Sequence, residues 1–210
     1  MLALVTSSSF LSAWASGAAT GLGLFAVVGA QSAFILRQGL MRLHLPAILL
    51  TCGLIDMVFI FASIWGLQAL IEQFPLLTHL ILWFGVVFLL WYALQSARRA
   101  LGKDQQLSIA RQAVPTRRAA LLAAIGFSLL NPHFWLDMVI VGSLAHSFSD
   151  ARYGFAAGAF TASIIWLLML GIGARLLAPL FSNPRAWRIL DGMIALIMAG
   201  LAVGLIVKGV

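Results

Sequence analysis

Residues 129–139 read LLNPHFWLDMV, and residues 21–39 read GLGLFAVVGAQSAFILRQG. Each is an apolar, helix-forming run broken by a few polar residues. The break is Asn131-Pro132-His133 in one and Gly29-Ala30-Gln31-Ser32 in the other. Pro132 has no N–H to donate and disturbs the carbonyl four residues before it. Gly29 permits a local unwinding. In hydrocarbon no water is present to bond a freed backbone group, so a break must face protein or a wet cavity.

Composition places these runs in hydrocarbon. Of 210 residues, 62% are hydrophobic and 9% are charged, against about 25% charged in a soluble domain. Thirteen basic and six acidic residues cannot clothe such a chain in water. The apolar excess equally excludes a disordered chain. A single cysteine, Cys52, excludes a disulfide framework and a Cys-rich metal site. Six apolar segments are expected as spans: 14–36, 45–71, 79–97, 119–146, 154–180 and 189–207. Six spans of about 20 residues use roughly 120 of the chain. Charge or Pro/Asn punctuation separates them, and no period-2 alternation suggests a β-barrel. The first charge is Arg37, so the basic start of a secretory signal is missing and the first segment is expected to remain a span.

The net charge of +7 is explained by loop composition, without nucleic acid. Arg37 and Arg42 fall in the first expected loop. Arg98, Arg99, Lys103, Arg111, Arg117 and Arg118 fall in the third. Arg185 and Arg188 fall in the fifth, with Arg175 just before it. The opposite side holds only Arg152 and Lys208. The positive-inside rule then makes loops 37–44, 98–118 and 181–188 cytoplasmic and both termini periplasmic, in the bacterial inner membrane. The long basic loop is read as holding orientation rather than as an amphipathic helix on lipid. Trp14, Trp65 and Tyr153 fall near outer ends, and Trp91, Tyr92 and Trp187 near inner ends, as interfacial anchors do. Trp83, Trp135 and Trp166 are assigned to packing.

The expected fold is an all-α membrane protein of six transmembrane helices, built as two inverted three-helix repeats. The repeats are residues 1–98 and 119–210, joined by the basic loop 99–118 in a single membrane domain. The interrupted first and fourth helices correspond, and Gly85 and Gly192 mark the third and sixth. Paired interruptions are the best sequence pointer to a transporter site. Three GxxxG spacings, Gly17 to Gly21, Gly154 to Gly158 and Gly200 to Gly204, signal close helix packing and are compatible with a homo-oligomer.

Two carboxylates lie inside expected spans. Asp56 is eleven residues into the second, roughly 16 Å at the helical rise, near the midplane. Asp137 lies nearer the outer face. Each costs about 2.5–3.5 kcal/mol on insertion scales, and no basic residue lies at comparable depth. Such a group suits a cationic substrate exchanged for a proton. The plainer reading is an acid hydrogen-bonded to a neighbouring helix, or, for Asp137, one that reaches the interface. Asp191 is expected to pair with Arg188 at i,i+3. His133 and Asp137 share a helical face, but a metal would need more ligands than the sequence supplies. No cofactor site is expected. Gln31 and Ser32 can bond an amino acid's carboxylate or amine, or backbone alone. With no HExxH, GxSxG or Walker motif, no enzyme activity and no ATP use is expected.

GAQSAFILRQG, Asp56 in the next span, and NPHFWLD together resemble the bacterial lysine exporter family (LysE type), which includes the arginine exporters. The likeness extends over essentially the whole chain. It implies an inner-membrane exporter of basic amino acids, arginine or lysine, driven by the proton gradient or the membrane potential. Its conserved stretches correspond to Gly29–Phe34, Arg37–Gly39, Asp56 and Asn131–Asp137. The candidate translocation residues are therefore Gly29, Gln31, Ser32, Asp56, Asn131, Pro132, His133 and Asp137. Ser32 departs from the family's usual Asn, which bears on substrate contacts. The related threonine and homoserine exporters share the architecture with neutral substrates. Other readings are a metal-cation exporter and a non-transporting assembly subunit.

An alkaline phosphatase reporter, active only outside the cytoplasm, is expected to be inactive when fused after Lys103. Activity there overturns the expected orientation.

Overall fold

A computed structural model describes residues 2–27, 29–67, 73, 75–102 and 116–207. Its elements are helical throughout: α1 (Leu2–Phe25), α2 (Ala30–Leu40), α3 (Leu45–Ala62), α4 (Pro75–Leu101), α5 (Arg117–Leu129), α6 (Pro132–His146), α7 (Arg152–Leu177) and α8 (Pro184–Val207). α3 runs on into a π turn, Ser63–Leu67, that ends around Gly66 at φ 112. Short 3-10 turns precede α7 and follow it.

Local chemistry explains the punctuation. Gly29 is extended (φ −96, ψ −171), so the chain leaves the helix before α2 begins. α1 and α2 are bent by 79° across this break. α2 stops where Arg42 and His44 turn left-handed, and Pro46 opens α3. Thr116 caps α5, its hydroxyl accepting from the Ala119 N–H at 3.2 Å. α5 and α6 are bent by 60° at Leu130 and Asn131.

Among the described residues three stretches are long and apolar enough to cross a membrane: Leu45–Gly66, Ser149–Ser182 and Pro184–Val207. The number rises to five if each bent pair is one span. The third expected segment is a helix, α4, but is not among these. The expected loops are also shorter than read from charge. Arg37 belongs to α2, Arg98 and Arg99 to α4, and Arg117 and Arg118 to α5. Most of the expected basic loop, 103–115, lies outside the described residues.

α1 and α7 cross with their GxxxG stretches in contact. A Cβ on Gly17 would collide with the Phe155 carbonyl, and one on Gly158 with the Trp14 carbonyl. A Cβ on Gly21 would meet Ala162 at 2.8 Å. Backbone approach this close needs glycine on both helices. The third GxxxG stretch does not pack this way, since a Cβ on Gly200 or Gly204 meets nothing within 4 Å. α4 and α8 form a second pair, which packs on α2 through Ala30, Ala33, Val86, Ile194 and Met198.

Gly158→Val is expected to destabilise the protein in detergent by about 1–3 kcal/mol, the cost of overpacking a tight contact. Gly204→Ala should leave thermal unfolding unchanged. Equal effects would show that the α1–α7 contact is looser than described.

Candidate substrate site at the meeting of two helix breaks

The two breaks adjoin. A Cβ on Gly29 would sit 3.4 Å from Asn131 Nδ2. Beside them lies a cavity of about 240 Å³. Its walls come from the end of α1, the start of α2, the middle of α3, the start of α6 and the middle of α7. Gly29, Gln31, Ser32, Asp56, Asn131, His133 and Asp137 all line it. The structure thus brings together seven of the eight candidate residues, from three helices or their caps.

Pro132 is the exception. Its ring packs against Gly85 of α4, where a Cβ would lie 2.7 Å from the proline Cδ. Its contribution is to start α6 and to seat the break on α4. Gly192, expected as the counterpart of Gly85, has open space where a Cβ would be.

Each break is closed by its own residues. The Gly29 N–H donates to the Val27 carbonyl at 2.9 Å, and the Ser32 hydroxyl to the same oxygen at 3.3 Å. Asn131 Oδ1 accepts from the His133 N–H at 3.2 Å and so caps α6. The Trp135 indole reaches back and donates to the Leu129 carbonyl at 2.7 Å. No side chain caps α2, so the first turn of α2 presents its positive dipole end to the cavity.

The carboxylates dominate the electrostatics. Asp56 accepts a hydrogen bond of 2.5 Å from Ser163 of α7, itself 2% exposed and part of the lining. Asp137 also lines the cavity, one turn along α6 from His133. Among the described residues no Lys or Arg lines the cavity, and neither carboxylate has an ion-pair partner. A carboxylate in such surroundings is balanced by a cation or a proton brought to it. No group of three His, Cys, Asp or Glu side chains suited to a metal occurs among the described residues.

Asp191 departs from expectation. It is 1% exposed and pairs not with Arg188 but with Arg37 of α2 and Arg99 of α4, the latter at 3.1 Å. Arg188 instead donates to the Gly102 carbonyl at 3.2 Å. The i,i+3 spacing places two residues on neighbouring positions of one helix, but α8 turns Asp191 inward while Arg188 stays exposed.

Sequence reasoning missed two features. Ser163 looked like one hydroxyl in an apolar helix, and only the packing of α7 on α3 makes it a partner of Asp56. The second left a visible signal. NPHFW at 131–135 recurs as NPRAW at 183–187. Asn183 Oδ1 accepts from the Arg185 N–H at 2.9 Å, and the Trp187 indole donates to the Phe181 carbonyl at 2.7 Å. An N-P-x-x-W box therefore starts both α6 and α8 with the same two bonds. Trp135 has this bonding role, Trp166 lines the cavity, and Trp83 is half exposed.

The family model of the LysE type translocator matches residues 22–209. A Mycobacterium tuberculosis protein named "Putative amino-acid transporter Rv0488" is 40% identical over 187 residues, 86% of this chain and 90% of that protein. The arginine exporter protein ArgO of Pectobacterium carotovorum is 37% identical over 191 residues, 90% of this chain and 94% of that one. Its namesake from Serratia proteamaculans is 33% identical over 201 residues, 95% of this chain and 98% of that one. No solved structure matches.

Trp135→Phe keeps the ring and removes the donor to Leu129. Thermal unfolding in detergent should show a loss of about 1–3 kcal/mol. No loss would mean that the break does not depend on the indole bond.

Proposed function

Because this chain belongs to the LysE type translocator family, we propose that it exports a basic amino acid, arginine foremost, across the bacterial inner membrane. The observation that carries the proposal is a cavity at the junction of two broken helices with two carboxylates and, among the described residues, no Lys or Arg in its lining. Relatives of nearly full length bear the name of arginine exporters, which supports the same substrate. Arginine brings a guanidinium and an α-ammonium, matching two carboxylates in number and sign. Its α-carboxylate is of the right sign for the uncapped start of α2, where a helix dipole favours an anion. Gln31, Ser32 and Asn131 supply uncharged hydrogen-bonding groups around it. His133 stands between the break and Asp137 and gates the cavity.

The transport cycle follows from charge. Moving one positive charge outward against an inside-negative potential costs about 2.3 kcal/mol per 100 mV. Uphill export therefore needs coupling. In the proposed cycle the substrate binds at the two breaks with Asp56 ionised. The two halves rock, the substrate leaves outward, and Asp56 carries a proton back. The proposal takes α4 as a sixth span and the α1–α2 and α5–α6 pairs as one broken span each. The chain then has two inverted three-helix repeats, with the site on their shared interface as in other repeat transporters. α4 supports this with an outward apolar face: Leu80, Phe84, Val87, Trp91 and Leu94 are all exposed.

Asp56→Asn should reach the membrane in normal amount and lose arginine efflux from cells loaded with an arginine dipeptide. A loss of at least about tenfold is expected, since the neutral amide cannot balance the cation. Efflux at the unaltered rate would remove Asp56 from the mechanism. Running threonine in parallel separates a basic-substrate exporter from a neutral one, because only the latter would move it.

A further inference from the structure

The buried ion cluster at the far end of α2 lies outside the cavity. A single oxygen, Oδ1 of Asp191, accepts from Arg37 Nη2 of α2 and from Arg99 Nε of α4. Arg37 is 3% exposed and Asp191 1%. Arg99 is braced on its own helix, donating to Ser96 Oγ at 2.6 Å and lying over the Tyr92 ring at 5.8 Å. One carboxylate thus ties three helices together, and it is the only acidic group in the cluster among the described residues.

α2 is the element these bonds restrain. It is eleven residues long, and both ends are free of regular helix: Gly29 is extended at one, Arg42 and His44 are left-handed at the other. Gln31 and Ser32, on its first turn, line the cavity. Arg37 follows Gln31 by six residues, roughly 9 Å along the axis. On one flank α2 touches α7 through Gly39 and Ala174, an apolar contact between small residues that carries no directional bond. On the other flank the directional, desolvated bond to Asp191 fixes its position against the α4–α8 pair. Charge-assisted bonds of this kind are strong and geometrically specific.

We infer that Asp191 is a positioning residue for transport: by holding Arg37 it holds α2, and so sets where Gln31 and Ser32 stand in the cavity. The inference rests on the proposal that this cavity carries substrate. The chain contains its own reporter of α2. Cys52, the sole cysteine, is 0% exposed and belongs to the same buried cluster as Phe34 and Ile35 of α2. A shift of α2 that loosens this cluster is expected to expose the thiol.

The test uses the purified full-length protein in proteoliposomes, with arginine flux and the rate of Cys52 alkylation by N-ethylmaleimide as readouts. Asp191→Asn and Arg37→Gln should each raise the half-saturating arginine concentration about tenfold while changing the maximal rate less, the pattern of lost ground-state positioning. Both should speed alkylation about tenfold, as expected when a protecting contact opens locally. Asp191→Glu should restore both readouts. Arg99→Gln leaves the Arg37–Asp191 pair in place, so it should stay within about twofold of the unmodified protein. Unaltered half-saturation in Asp191→Asn overturns the inference, even if alkylation accelerates. So do equal effects of Arg37→Gln and Arg99→Gln, which would mark a general charge cluster rather than a tie on α2. That second comparison decides alone if Asp191→Asn does not accumulate. If the unmodified protein moves no arginine, the functional proposal fails, and unaltered alkylation in Arg37→Gln would then overturn the tie separately.

Discussion

A backbone amide in hydrocarbon must find a partner, and the two helix breaks at Gly29 and Asn131 therefore organise everything around them. Gly29 and Asn131 lie side by side. Each break satisfies its groups locally, through the Val27 carbonyl in one case and the Asn131 amide and Trp135 indole in the other. The closures are unequal. α6 opens with a proline, which has no N–H, and with an asparagine cap, so its start is self-contained. α2 opens without a side-chain cap. That asymmetry turns two similar interruptions into a cavity with a polarity: a helix start of positive character on one side, carboxylates on the others.

Close packing makes the cavity possible. The α1–α7 crossing has glycine on both sides, the packing of α7 on α3 brings Ser163 against Asp56, and the end of α1 lines the same cavity. Pro132, seated on Gly85, joins the same region to the α4–α8 pair. The half-helices are thus held from outside by steric contacts and, at the far end of α2, by a buried carboxylate shared between two arginines. A site that must open and close benefits from short elements held at their ends, because such elements move as units between discrete packings.

The charge distribution divides by depth and partner. Asp191 is compensated within the protein by Arg37 and Arg99. Asp56 and Asp137 are not, and both face the cavity. Three aspartates in apolar helices of one chain therefore have different surroundings, decided by whether a guanidinium reaches them. Composition could not distinguish them, since all three are aspartates in apolar helices.

Much was legible in order along the chain. An apolar excess, few charges and helix-forming residues determine a helical membrane protein. Pro132 and Gly29 determine where helices break, because a missing N–H and a missing Cβ act through local backbone geometry. Asp56 and Asp137 announce themselves because an acid in oil is costly wherever its helix points. What depends on the rotation and approach of helices was not legible. The sequence places Asp191 three residues from Arg188, yet rotation of α8 sends it to Arg37 and Arg99. It shows Pro132 beside the cavity residues, yet the ring turns away to Gly85. It gives no sign that Ser163 meets Asp56 across 107 positions of chain. Local conformation follows from neighbours in sequence, whereas partners of buried polar groups follow from packing over long loops, and packing is resolved only when the helices are assembled.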